Sequence, residues 1–176
     1  YEKKLVTYPR TDARVLTNAI AAEIGLNLSG LSKNDAYAPF VSEIKKNGYR
    51  IGTKYIDDSK VTDHYAIIPT GVKASGLEGL EADVYDLITR RFLAIFFPPA
   101  IYYKVAVTET AGQEKFFSNG KVLHEPGYLA VSGIDKEEND EENPGMAIFY
   151  LNEGEVLNAL YEIRKGETKP PSRYTS

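Results

Sequence analysis

Cysteine is absent from the 176 residues, which excludes disulfides, a thiolate nucleophile and cysteine-ligated zinc, and fits a reducing cytoplasm. Histidine occurs only twice, so metal chemistry has few ligands to draw on. No apolar run approaches the roughly 20 residues that span a bilayer. No charged-then-apolar start marks a signal peptide, so neither a membrane protein nor an exported one is expected. What is present is ordinary for a globular chain: 43% hydrophobic and 26% charged residues, enough to bury one core or two small ones.

Charge of one sign does not dominate once its distribution is considered. The formal net charge is -4, which taken as an average argues against broad electrostatic attraction to nucleic acid. The run Asp135 to Glu142, however, concentrates six acids and one lysine. Without it the rest is close to neutral, so a phosphate-binding surface has to be a local patch of a few arginines or lysines. The run itself reads as a solvated loop.

Periodicity divides the chain near Pro98. Val15, Leu16, Ile20 and Ile24 predict a helix from Thr11 or Asp12 to about Ile24, closed by Gly25. A second helix is expected from Asn34 or Asp35 to about Asn47, before Gly48. The third runs from about Leu80 to Phe96, with Leu80, Val84, Leu87, Ile88, Phe92, Ile95 and Phe96 on one broad stripe, and Pro98-Pro99 end it. Beyond them, β-branched and aromatic residues alternate over Tyr102 to Thr110, Glu114 to Ser118, Lys121 to His124, Tyr128 to Val131 and Met146 to Leu151. Asn119-Gly120 is a tight-turn signal between two of these. Glu153 to Lys165 suits a short helix or an extended segment, and Pro170-Pro171 mark a boundary. The fold class expected is α+β: a helical domain over residues 1–99, a β-rich domain over 100–167, and the start of a further segment at 168–176. Because Tyr1 opens no capped element, the chain reads as a piece of something longer.

One segment carries chemistry. In Leu5-Val6-Thr7-Tyr8-Pro9-Arg10-Thr11-Asp12, Pro9 fixes its own φ and pushes Tyr8 toward extended geometry. Residues i and i+2 of an extended segment share a face, so the Tyr8 phenol and the Arg10 guanidinium are expected to point the same way and meet one phosphate. The helix expected to follow would add free N–H groups and a positive dipole end. A phenol with a reference pKa of about 10 needs a cation or base to act as a nucleophile at neutral pH, and an arginine also neutralises charge building on phosphorus. On spacing alone, an ordinary strand-turn-helix in which Tyr8 packs, Arg10 is solvated and Asp12 caps the helix is the better explanation, because Tyr-x-Arg pairs are common by chance.

Three motifs taken together resemble one family. The Leu5 to Asp12 run is similar to the active-site segment of type IA DNA topoisomerases, and Lys60-Val61-Thr62-Asp63-His64-Tyr65-Ala66-Ile67-Ile68-Pro69-Thr70 to that family's histidine motif. Lys169-Pro170-Pro171-Ser172-Arg173-Tyr174-Thr175 resembles the entry into the next family segment. Pro9 and the Ala66 to Thr70 ending look more like the topoisomerase III branch than topoisomerase I.

The resemblance implies that Tyr8 attacks a phosphodiester of single-stranded DNA and forms a 5′-phosphotyrosyl link, later reversed by the free 3′-hydroxyl without ATP. Arg10 would bind the scissile phosphate and His64 would serve as hydrogen-bond donor or proton relay, paired with Asp12. Asp12, Arg14 and Arg173 are the candidate DNA contacts. The β-rich part would be gate or strap, mechanical rather than catalytic. Magnesium would be held by a Toprim domain in the full-length enzyme, with no ligands in this chain, so the chain alone is not expected to cleave DNA. Its partners would be single-stranded DNA and the remaining Toprim and helical domains of the same polypeptide, with no membrane, in a bacterial, nucleoid-associated cytoplasmic setting. Ala13 stands where the family commonly has a small hydroxyl or thiol residue, Tyr65 where a second histidine is frequent, and Ser176 where an acid is common.

Other readings are weaker. A tyrosine recombinase needs several arginines around its tyrosine, and a rolling-circle nickase needs two histidines flanking one apolar residue, which His64-Tyr65-Ala66 lacks. A non-catalytic single-stranded DNA-binding module would use Tyr8 as a stacking platform. Without the motif, His64 beside an apolar run would be a packed or capped residue. His124 reads as an incidental strand residue, and Asp57-Asp58 as solvated carboxylates beside a turn.

Overall fold

The structure, a computed structural model, describes residues 3–132, 150–158 and 165–168. It mixes helices with one two-stranded antiparallel sheet, an α+β arrangement. The acidic run, most of the Met146 to Leu151 strand, and the third motif with Arg173 lie outside the described residues. Among the described residues no helix is long and apolar enough to cross a membrane.

Helix α1 spans Asn18–Leu31, starting six or seven residues later than the periodicity predicts. The reason lies in long-range pairing. Leu16 bridges Ile56 in parallel, with Leu16 N–H donating to Tyr55 O at 2.8 Å and Asp57 N–H donating to Leu16 O at 3.0 Å. Backbone groups spent on a distant segment are not available to a helix. The start is instead fixed at Thr17, whose hydroxyl accepts from Ile20 N–H. Asp58 supports it from outside the helix, accepting from Asn18 N–H at 2.8 Å and from Asn18 Nδ2 at 2.7 Å. Gly25 does not stop α1; the apolar face continues through it to Leu28 and Leu31, both buried.

Helix α2, Ala38–Lys46, opens with Pro39 in its first turn, after an Asn34 to Tyr37 turn that takes the place of the expected early start. Gly48, at φ +76°, ends it as expected. Helix α3 covers Leu80–Ala94, close to expectation. Its buried residues are Tyr85, Thr89, Phe92, Leu93 and Ala94, whereas Leu80, Val84 and Leu87 are exposed. The broad stripe thus divides into a core face and an outward apolar edge.

The core gathers Leu5, Leu16 and Ile68 with Ile24, Leu28 and Leu31 of α1, Val41 and Ile44 of α2, and Phe92, Leu93 and Phe96. Tyr37 and Asp86 tie α2 to α3 by a 2.9 Å hydrogen bond. Arg90 pairs with Asp86 at 2.7 Å and donates to Val131 O at 3.2 Å, which ties α3 to the segment around Val131. Burial together with the Asp86 carboxylate pushes the Tyr37 phenol well above the usual tyrosine range.

After Pro98-Pro99 the chain forms a long hairpin, β1 Ile101–Ala111 with β2 Glu114–Glu125. Ala111 pairs with Glu114, so the tight turn is Gly112-Gln113, with Gly112 at φ +64°. The expected turn at Asn119-Gly120 is contradicted: Asn119 pairs with Ala106 and Gly120 with Val105, inside one continuous strand. A turn at residue 119 would forgo the pairs that join Val107 through Ala111 to Ser118 through Glu114. The expected strand Tyr128 to Val131 is also contradicted, being helix α4, Leu129–Ser132. Tyr128 N–H donates to Pro98 O at 2.9 Å, and a Cβ on Gly127 would lie 2.4 Å from that same oxygen. The chain therefore closes on the end of α3, where the short helix buries Val131. Residues 150–158 contain a turn and no strand or helix.

Candidate active site

The two motifs that lie some sixty residues apart in sequence are laced together. Val6 bridges Pro69 in antiparallel fashion, Thr7 N–H donates to Ile68 O at 2.9 Å, and Thr70 N–H donates to Leu5 O at 2.9 Å. The Thr7 hydroxyl adds two bonds, accepting from Ile68 N–H at 3.0 Å and donating to Ala66 O at 3.3 Å. Alternation then decides what faces out: Leu5 is buried, and Tyr8, three residues on, emerges 38% exposed.

A second seam holds the histidine. Past Pro9 the chain doubles along the same segment: Thr11 Oγ1 donates to His64 O at 2.7 Å, and Ala66 N–H donates to Val15 O at 3.0 Å. Thr11 Oγ1 also accepts from Ala13 N–H at 3.0 Å. Bonds at the His64 carbonyl and at the Ala66 N–H hold this stretch and leave the His64 ring at the surface. That ring lies against Tyr8, with centroids 4.5 Å apart and planes tilted by 45°. Thr7 and Thr11, which tie the motifs together, went unremarked in the sequence; a hydroxyl inside each turn of a motif was the available signal.

The other candidates stand as follows. Arg10, Asp12 and Arg14 are exposed. Arg10 is two residues from Tyr8 on the same short segment, and it has no hydrogen bond or ion pair among the described residues. His64 and Asp12 are not paired; Asp12 is exposed, and the bond to the His64 residue comes from Thr11 to its backbone carbonyl. The expected helix N-terminus beside Tyr8 is absent, because α1 begins at Asn18 and its first amides are capped by Thr17 and Asp58. A dipole end already capped and ten residues away adds little at Tyr8, since the effect falls off within a turn. Arg173 lies outside the described residues.

Asp57 and Asp58, just ahead of the histidine motif, are structural. Asp57 accepts from Ser59 N–H and Oγ and pairs with Lys60 at 2.8 Å. The Lys60 ammonium and the Ser59 hydroxyl lower its carboxyl to about 2. Asp58 is likewise held below the usual carboxylate range by Asn18. Neither is a loosely solvated acid, and among the described residues no group of three or more histidines and acids is placed to hold a metal ion.

The family described as DNA topoisomerase matches residues 1–176, the whole chain. DNA topoisomerase 3 of Bacillus licheniformis is 40% identical over 179 residues, covering 99% of this chain and 24% of that protein. The Bacillus subtilis DNA topoisomerase 3 is 39% identical and that of Bacillus cereus 32%, each over 180 residues and 99% of the chain. The chain spans about a quarter of the length of these relatives. It belongs to the DNA topoisomerase family, on the type IA, topoisomerase III branch.

Proposed function

We propose that, within the full-length polypeptide, Tyr8 is the nucleophile that opens and reseals single-stranded DNA. The observation that carries this reading is the exposed Tyr8 ring held 4.5 Å from the His64 ring by two laced motifs. In cleavage the Tyr8 phenolic oxygen bonds to phosphorus as the bond from phosphorus to the 3′-oxygen breaks. The phenol gives up its proton and the departing 3′-oxygen gains one, leaving a 5′-phosphotyrosyl link and a free 3′-hydroxyl. The link is a phosphodiester like the one broken, so resealing needs no ATP.

Arg10, two residues from Tyr8 and solvent-exposed, supplies the fixed cation that a pentacoordinate phosphorus requires. His64, neighbour to the phenol ring, passes the proton. Asp12 and Arg14, exposed on the same stretch, and Arg173 are assigned to neighbouring backbone contacts. Residues 1–99 are read as the nucleophile domain, 100–167 as part of the gate or strap, and 168–176 as the entry to the next segment. Toprim and further helical domains complete the enzyme, and the chain alone is inactive.

Tyr8→Phe in the full-length protein tests the reading. With labelled single-stranded DNA, the covalent adduct disappears while non-covalent binding stays within about threefold, because the phenyl ring still stacks. An adduct that persists in this variant removes Tyr8 from the role.

A further inference from the structure

The loop that follows α2 concentrates positive charge that the proposed chemistry does not use. From Ile44 to Ile56 the sequence holds Lys45, Lys46, Arg50 and Lys54, two tyrosines and no acid. Lys45 and Lys46 have a local reason, since they sit in the last turn of α2, where the negative end of the helix dipole favours cations. Lys54 lies 4.8 Å over the Tyr55 ring. Arg50 has neither reason: it is exposed, and its guanidinium makes no hydrogen bond or ion pair among the described residues. The carboxylates that follow do not offset the run, because Asp57 is committed to Lys60 and Ser59 and Asp58 to Asn18. Beside Arg50, Tyr49 stands at φ +55°, directly after Gly48 at +76°. A glycine takes that conformation freely and a tyrosine does not. The Tyr49 N–H donates to Ile44 O at 3.1 Å, which holds the strained residue against the end of α2 while its ring stays 39% exposed. Strain kept on an exposed aromatic points to use by a ligand rather than to packing. Pairing then joins the loop to the site. Leu16 bridges Ile56 in parallel, so the residues two places earlier, Arg14 and Lys54, leave the bridge at the same end, and both are exposed.

We infer that the loop from Tyr49 to Lys54 is a further contact site for single-stranded DNA, reached from the Tyr8 segment through Arg14, with Arg50 and Lys54 on phosphates and Tyr49 against a base. Cations left without acids select a polyanion, and an exposed ring among them stacks an unpaired base while the phosphates on either side are neutralised. The duplex is disfavoured as occupant because it offers Tyr49 no open base face. The site rests on the reading of the chain as part of a DNA-cleaving enzyme and adds where the strand runs once it has passed Arg10 and Arg14.

Oligo(dT) of 20 nucleotides and the full-length protein test it. Combined R50Q/K54Q substitution lowers affinity at least threefold near 0.1 M salt, and the slope of log affinity against log salt falls by about 1.4, as loss of two single-strand phosphate contacts requires. Y49G weakens oligo(dT) binding by about fivefold with the slope unchanged, while its melting temperature holds or rises because glycine relieves the positive φ. Y49F keeps a stacking ring and binds as the unaltered protein does, and a blunt 20-base-pair duplex is bound equally well by Y49G. At saturating oligonucleotide the loop variants still form the Tyr8 adduct, whereas Tyr8→Phe loses the adduct and keeps the salt slope, so either idea can fail without the other. Unchanged affinity and slope in R50Q/K54Q, a Y49F as weak as Y49G, or equal losses for duplex and oligo(dT) in Y49G overturn the inference.

Discussion

At the scale of single residues, the proposed site depends on a division within His64: its backbone carbonyl is bonded and its ring is exposed, where the proposed chemistry needs it. The carbonyl accepts from Thr11 at 2.7 Å, while the ring is exposed beside Tyr8. Removing the ring should therefore cost little stability. His64→Ala in the full-length protein is expected to change stability by no more than about 0.5 kcal/mol, as for other exposed side chains, and to slow DNA cleavage about 10²-fold or more, the usual contribution of a positioned proton-transfer group. Single-turnover cleavage and thermal melts on the same variant check both halves. Thr7→Val should behave in the opposite sense, destabilising by about 1–3 kcal/mol through loss of its bonds to Ala66 and Ile68. The candidate residues Tyr8 and His64 were legible through the family resemblance of their motifs, and the structure sets their rings side by side. The threonines were not, because a hydroxyl reveals its backbone partner only when the distant segment is in place.

Elements show where sequence periodicity misleads. Val15, Leu16, Ile20 and Ile24 do fall at helical spacing, yet Val15 and Leu16 are buried on an extended stretch and only the latter two lie on α1. The pairing with residues 55–57 and 66 decides it, and no local window contains that information. Asn119-Gly120 failed for a related reason: a good local turn lost to Gly112-Gln113, which allows the longer run of cross-strand pairs. The two α1 glycines separate local from tertiary effects. Gly25 has open space where a Cβ would stand, so Gly25→Ala should stabilise by about 0.5–1 kcal/mol. A Cβ on Gly30 would lie 1.8 Å from Gly71 O, immediately after the histidine motif. Gly30→Ala is therefore expected to cost about 3 kcal/mol and to slow adduct formation by displacing that motif. Equal effects of the two substitutions on melting temperature would show that α1 does not brace the site.

For the whole molecule, α+β character and the change of texture near Pro98 were legible, since helical and alternating patterns differ strongly on either side. Among the described residues, the continuous hairpin and the short α4 were not, because closure of Gly127-Tyr128 onto Pro98 is a tertiary contact. The laced half also has a pH signature. Asp57, Asp58 and Glu81 all have lowered carboxyl values, caused first by hydrogen bonds from Lys60, Asn18 and Lys3 respectively. A carboxylate whose folded value is depressed contributes stability above the ordinary carboxylate value of about 4. That contribution is lost as pH falls toward the folded value, about 2 for Asp57. Melting temperature should drop over this window, and Asp57→Asn combined with Asp58→Asn should flatten the dependence. A double variant with an unaltered acid limb would place the acid sensitivity elsewhere.

All of this leads back to one covalent bond. The most direct measurement traps the full-length protein on labelled single-stranded DNA, digests the adduct and locates the nucleotide by mass spectrometry. The prediction is a phosphodiester joining a DNA 5′-end to the Tyr8 oxygen, on the peptide that contains Pro9 and Arg10. Attachment to any other residue, or through a 3′-phosphate, contradicts the account.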